Sequence, residues 1–285
     1  MSKKRKTCYE IKPVQVDKDP DDDLPIKHGE LSNTLPLYHN TFLAAKTNSG
    51  KSTVLHHILL NTLDKRSTVF LFCSTYELDA VWMKTIEELR DRKIKVLCFD
   101  GMIENGVNRL EIVLKELAAS IAGEQEEDGV PSGGMLVLDN LKPNGERKPR
   151  PKDRVPKHVI VLDDLNTEEL RHRTITNLVK KSRHYQAKVY ISSQHLLHAS
   201  PQTFTNLQAC YLWGGFSRHY IEEAWSRLNL GIDKKQFWLL YCELTREKYS
   251  FMNVNMRDNA VRQNLYPEPI NLKQLFAPDH EEETE

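Results

Sequence analysis

Residues 42–53 read Phe42-Leu43-Ala44-Ala45-Lys46-Thr47-Asn48-Ser49-Gly50-Lys51-Ser52-Thr53, and the fold turns on this stretch. The apolar run Leu37 to Ala44 predicts a strand, and the apolar spacing of Ser52 to Leu63 predicts a helix. Between them, Ala45, Lys46, Thr47, Asn48, Ser49, Gly50, Lys51, Ser52 and Thr53 fit the phosphate-binding P-loop, with alanine where the first glycine usually stands. The chemistry explains the spacing. A strand-to-helix loop wraps backbone N–H groups around a β-phosphate, and the helix N-terminus adds positive dipole. Lys51 then offers a cation to the β- and γ-phosphates, and Ser52 a hydroxyl to Mg²⁺. Ala45 is tolerable if its φ is negative. A chance match is the competing reading, and the placement between a strand and an amphipathic helix weighs against it. No guanine-reading Asn-Lys-x-Asp follows, so the expected ligands are ATP and Mg²⁺ rather than GTP.

Outward from this loop the chain alternates strand-like and helix-like stretches. Ser67 to Cys73, Lys93 to Phe99, His158 to Leu162 and Lys188 to Ser193 read as strands. Leu78 to Arg92, Leu110 to Ala122 and Thr167 to His184 read as helices. Uniformly apolar strands alternating with helices imply a mostly parallel central sheet covered by helices on both faces, hence the α/β class. Phe237 to Glu243 and Tyr249 to Asn255, joined by Leu-Thr-Arg-Glu-Lys, are expected to form a C-terminal β-hairpin at the sheet edge.

An ATP-hydrolysing P-loop protein needs an acid on a neighbouring strand. Two segments offer one: Met135-Leu136-Val137-Leu138-Asp139-Asn140 and Val159-Ile160-Val161-Leu162-Asp163-Asp164. The second is preferred because Asp163 can orient the water shell of the metal while Asp164 polarises the attacking water; Asn140 cannot act as a base. The strand Val189 to Ser193 ends at Gln194, which serves either as a γ-phosphate sensor or as a plain strand cap. Arg183, in Ser182-Arg183-His184-Tyr185, is either an arginine finger acting on a neighbouring subunit or a charge complementing its helix dipole. Arg218 is the fallback finger.

Composition narrows the class. Of 285 residues, 40 Lys+Arg balance 40 Asp+Glu, 39% are hydrophobic and 28% charged. No apolar run approaches the roughly 18 residues of a membrane span. Met1 to Lys6 carries basic residues without an apolar stretch behind them, so no secretory signal is expected and the protein is expected inside a cell. Five scattered cysteines without a CxxC spacing argue against disulfides and a zinc site. The neutral total conceals uneven placement. Lys3 to Lys6 is a basic tetrad, residues 17 to 23 hold five aspartates, and the chain closes on an acidic run from Asp279. Residues 141 to 157 carry seven basic residues against Glu146 and Asp153, broken by prolines, and read as an exposed cationic loop. The expected organisation is a charged N-terminal segment over 1–34, an ATPase core over 35–256 with an insertion at about 123–157, and a tail over 257–285.

The order of P-loop, Val-Phe-Leu-Phe-Cys strand, Val-Ile-Val-Leu-Asp-Asp-Leu, Arg-His and a strand ending in Gln resembles the poxvirus-type genome-packaging ATPases of the FtsK–HerA superfamily, found in large DNA viruses, virophages and Polinton-like elements. The resemblance runs from about Leu37 to Ser217. It implies a RecA-like core, a homo-oligomeric ring, and ATP-driven translocation of double-stranded DNA into a preformed capsid, with capsid or portal proteins as partners. By the same resemblance Lys51, Ser52, Asp163, Asp164, Arg183 and Gln194 fill the nucleotide, metal, acidic, trans-acting and sensor roles. The implied setting is an infected host cell, in the nucleus or a viral factory, or the virion itself. A translocating channel must grip phosphates without reading bases, and Arg147, Lys148, Arg150, Lys152 and Arg154 are the candidates for that contact. The competing classes are another ring ATPase on nucleic acid, such as a helicase or replication-initiation protein, and a P-loop nucleotide kinase or nucleotide-dependent scaffold.

Overall fold

Short runs of β-branched, leucine and aromatic residues build the sheet, and their burial on both faces sets its position in the middle of the molecule. The computed structural model describes residues 35–127, 155–194, 196–228 and 230–276. Residues Met135 to Asn140 and the cationic Arg147, Lys148, Arg150, Lys152 and Arg154 lie outside the described residues, as do the two charged termini.

Strand β1 (Asn40–Ala44) leads through the glycine-containing loop into helix α1 (Lys51–Thr62). Then follow β2 (Thr68–Phe72), α2 (Ala80–Asp91) and β3 (Lys95–Phe99). A small hairpin, β4 (Ile103–Glu104) and β5 (Val107–Asn108), precedes the long α3 (Arg109–Glu127). Next come β6 (His158–Leu162), α4 (Thr167–Arg171), α5 (Arg173–Lys181) and β7 (Ala187–Ser193). After a 3-10 turn at Leu196–His198 and α6 (Pro201–Phe204), β8 (Ala209–Trp213) is followed by α7 (Arg218–Leu228) and α8 (Lys234–Leu244). The last elements are β9 (Phe251–Asn255), β10 (Ala260–Gln263) and α9 (Leu272–Leu275).

Among the described residues the main sheet has eight strands in the order β10-β9-β8-β1-β7-β6-β2-β3. The six strands from β8 to β3 are mutually parallel, and β9 and β10 add antiparallel at one end. Strand β7 lies between β1 and β6, so the strand that ends just before Gln194 separates the P-loop strand from the acidic strand. Alternate residues divide between two cores. Phe42 and Ala44 face the cluster under α5, α7 and α8, whereas Leu43 and Ala45 face the cluster under α1 and α2.

Two expectations need correction. The stretch Phe237 to Glu243 is helix, not strand. Asp233 and Gln236 form a reciprocal capping box, and the helix buries Phe237, Leu240, Tyr241 and Leu244, a spacing that fits a helical stripe. The C-terminal hairpin exists, but β9 pairs forward with β10. Its turn is nucleated by Asn255, whose Oδ1 accepts the N–H groups of Arg257 and Asp258 at 3.0 and 3.1 Å. The second correction concerns Thr167 to His184, which is two helices. His172, extended at φ −65° and ψ 135°, ends α4 and caps α5 by accepting the Thr174 N–H. Strand β10 falls within the segment 257–285.

Candidate functional site

The site forms where β1, β7 and β6 end side by side. Ala44 is level with Ser193, and Ile191 with Leu162, so Ala45, Gln194 and Asp163 leave the sheet at one edge. Two backbone bonds tie this edge together: Ala45 N–H donates to Ser193 O at 3.2 Å and Asp163 N–H to Phe72 O at 2.9 Å. In a parallel sheet this carboxyl edge is where ligands sit.

The loop itself is built by conformation. Asn48 and Gly50 take left-handed backbone, with φ of 61° and 88°, and Gly50 stands at the N-cap of α1. Ser49 Oγ donates to Lys46 O at 2.6 Å, tightening the turn. Ala45, fully buried, avoids the left-handed region and packs in the core beneath α1, so the alanine costs the loop no backbone strain. The result is a cavity of about 780 Å³ lined by residues 47–54 together with Asp163, Asp164 and Gln194.

Lys51 Nζ stands 3.1 Å from Asp163 Oδ1 and 3.5 Å from Asp164 Oδ1. Burial acts to lower the Lys51 pKa, but the two carboxylates outweigh it and the net shift is upward, so the ammonium stays charged. The two acids differ. Asp163 is 5% exposed, and its Oδ2 accepts the Trp82 indole N–H at 2.7 Å and faces Cys73 Sγ at 3.9 Å. Its Oδ1 is buried and, among the described residues, is met by the Lys51 ammonium. Asp164 adopts φ 59°, and its carboxylate is 45% exposed to the cavity. Opposite, Gln194 Nε2 donates to Thr47 Oγ1 at 3.2 Å, joining the end of β7 to the loop.

The residues present fit a hard cation. Asp163 Oδ1, which faces the Lys51 ammonium, and the Ser52 hydroxyl, which donates to Asp79 Oδ2 at 3.5 Å, are oxygen ligands of the kind Mg²⁺ takes when nucleotide phosphates and water complete its shell. Among the described residues no group of three or more His, Cys, Asp and Glu side chains converges as a self-sufficient metal cage.

Arg183 is elsewhere. It sits in the turn before β7, where Gln186 N–H donates to Arg183 O at 2.9 Å, at the opposite edge of the sheet. The seven residues of β7 rise about 3.3 Å each, so Arg183 is roughly 20 Å from the loop of its own chain. Arg218 opens α7 on the same edge as the P-loop but is paired with Glu222 at 2.6 Å. The neighbouring Gly215-Phe216 segment touches the loop through Lys46, whose Nζ lies 5.9 Å from the Phe216 ring centroid.

Sequence reasoning missed Asp79, Trp82 and Tyr249. Asp79 accepts the Val81 N–H at 2.8 Å as the cap of α2 and also faces Ser52, a double use that its position before an amphipathic helix hints at only in part. Trp82 and Asp163 are 81 residues apart, and Tyr249 reaches the loop from beyond α8; no local pattern announces either contact.

No family model matches the sequence. No curated protein matches it either. Among solved structures, the genome packaging NTPase B204 of Sulfolobus turreted icosahedral virus 2 in complex with AMPPCP is similar at 11% identity over 82% of this chain and 98% of that chain, with a TM-score of 0.47. The DNA-packaging ATPase B204 from Sulfolobus Turreted Icosahedral Virus is similar at 11% identity over 81% and 98% of the two chains, with a TM-score of 0.48. The cytoplasmic domain of the type VII secretion ATPase EccC from Thermomonospora curvata is similar at 20% identity, covering 82% of this chain and 27% of that one, with a TM-score of 0.45.

Proposed function

We propose that this chain is a Mg²⁺-dependent ATPase that works as a homo-oligomeric ring and translocates double-stranded DNA into a preformed viral capsid. The observation that carries the catalytic half is the cradle itself: a strand-to-helix loop turned by Asn48 and Gly50, with Lys51 beside a buried and an exposed carboxylate at the carboxyl edge of a parallel sheet. Lys51 and the backbone N–H groups of residues 46–53 bind the phosphates, the Ala45 N–H being engaged by Ser193 O. Bound Mg²⁺, held by Ser52 and through the shell oriented by Asp163, would neutralise charge on the β- and γ-phosphates. Asp164, exposed to the cavity, polarises the attacking water. Gln194 senses the γ-phosphate by exchanging its bond to Thr47 for one to phosphate oxygen. Arg183, out of reach of its own loop, acts on the neighbouring subunit.

The DNA-translocating half rests on the motif order described above and on the basic residues 147–154, which are proposed to line the channel with Arg171, Arg173, Lys180 and Lys181. The proposed organisation is an ATPase core over 35–256 with an insertion at about 123–157 between charged ends, docking on capsid or portal proteins inside an infected cell.

The decisive experiment measures phosphate release with and without double-stranded DNA, alongside native mass spectrometry with nucleotide. DNA-stimulated hydrolysis by a ring is the expected result. Absence of hydrolysis sinks the catalytic half. Strand separation on forked DNA would instead assign the ring to helicases.

A further inference from the structure

Tyr249 has no place in the chemistry so far, yet it stands in the same cavity. It lies on the turn between α8 and β9, and its ring crosses to the P-loop. A Cβ added at Gly50 would meet Tyr249 Cδ1 at 3.4 Å and Cβ at 3.7 Å. Thus the ring touches the loop while 56% of the residue remains open to solvent. It is not part of either core cluster.

Two further features show that this placement is imposed. Tyr249 adopts φ 70°, whereas the other described non-glycine residues in this conformation are Asn48, Asn105, Asn259, Asn264, Asp164, Lys93 and Gln186. Asn and Asp tolerate left-handed backbone, but a bulky aromatic ring there is strained, and such strain collects at ligand-binding positions. Lys248 Nζ also lies 4.7 Å from the ring centroid, so a cation supports the ring from its own turn. A solvent-accessible aromatic side chain at the rim of a phosphate cradle suits one class of ligand group. Aromatic rings stack on nucleobases, and the interaction tolerates any base because every base has a π-face.

We infer that Tyr249 is the nucleobase platform of the site, the bound nucleoside triphosphate laying its base on the ring while its phosphates enter the loop of residues 45–53. The inference rests on the nucleotide-binding reading of that loop and adds the subsite for the other end of the ligand.

Titration of the full chain with Mg²⁺ and AMPPCP, and separately with Mg²⁺ and tripolyphosphate, tests it. Tyr249→Ala should weaken AMPPCP binding roughly 5- to 150-fold and leave tripolyphosphate binding unchanged. Tyr249→Gly, which takes φ 70° without strain, should show the same loss with the turn intact, and Tyr249→Phe should bind like the wild type. AMPPCP affinity unchanged in Tyr249→Ala, or tripolyphosphate affinity falling in parallel, overturns the platform alone. A wild-type chain that binds neither probe overturns the phosphate cradle and the platform with it.

Discussion

At the carboxyl edge of the sheet, Lys51, Asp163 and Asp164 pair with one another beside a cavity, while at the amino edge basic groups are taken into the interior, where burial disfavours their charged forms. His39 and Lys188 lie at the start of β1 and β7, and both are buried. Burial, with the nearby Lys188 cation second, pushes the His39 pKa down to about 3. Burial likewise pushes Lys188 down to about 7. Lys188 Nζ donates to Pro36 O at 3.0 Å, and His39 Nδ1 bonds Thr41 Oγ1 at 3.0 Å. The same strands therefore carry a reactive end and an inert one. The difference lies in pairing: each charge at the carboxyl edge has an opposite charge or solvent to hold it, whereas the amino-edge groups have only neutral partners.

Breaking the carboxyl edge should have the largest effect. Asp164→Asn is expected to reduce phosphate release by roughly 10²- to 10⁴-fold with the fold intact, since the side chain is exposed and its removal leaves no buried group unpaired. A circular dichroism melt alongside the kinetics separates the two. Trp82→Phe tests how the buried acid is held. It removes the indole N–H from Asp163 Oδ2, so about 1–3 kcal/mol of stability should be lost, and the Mg²⁺ concentration for half-maximal hydrolysis should rise roughly 10- to 100-fold. A change in stability with no change in Mg²⁺ dependence would reduce Trp82 to packing.

The amino edge should respond to pH rather than to substrate. Between about 7 and 10.5 the unfolded chain binds a proton at Lys188 that the folded chain does not, so this group makes stability rise with pH across that window. The slope from one such group is at most about 1.4 kcal/mol per pH unit. In Lys188→Met, urea unfolding at several pH values should show a flatter profile over that window, with ATP turnover unaltered. His39 acts in the same sense at lower pH, its depressed pKa making stability fall as pH drops from 6.5 towards 3. The smallest effect is expected for Ala45→Gly, which adds chain entropy where no left-handed backbone is needed. A loss of about 0.4–1 kcal/mol in thermal stability with unchanged hydrolysis would show that the loop needs no glycine there.

The residues that announced the site are those whose local pattern and tertiary role coincide. Lys51 follows a strand and opens a helix; Asp163 and Gln194 terminate apolar runs, and strand ends in a parallel sheet gather at one edge. The central strands were legible for the same reason, being continuous apolar runs of strand length. Legibility failed where one composition serves two structures. Phe237-Trp238-Leu239-Leu240-Tyr241 reads as a strand by content, and only the Asp233–Gln236 capping box and the buried stripe decide for helix. It failed again where a contact closes over long sequence distance, as Trp82 does with Asp163 and Tyr249 with Gly50.

Strand β7 joins two of these features. All seven of its residues are buried, and it is hydrogen-bonded to β1 on one side and β6 on the other. Such a member is stiff along its length and resists bending. Gln194 is fixed at one end, and the Arg183 turn at the other. On the proposed reading of the site, whatever shifts Gln194 when phosphate leaves would act on a strand whose other end carries the Arg183 turn. The sensor candidate and the trans-acting candidate are thus two ends of one strand.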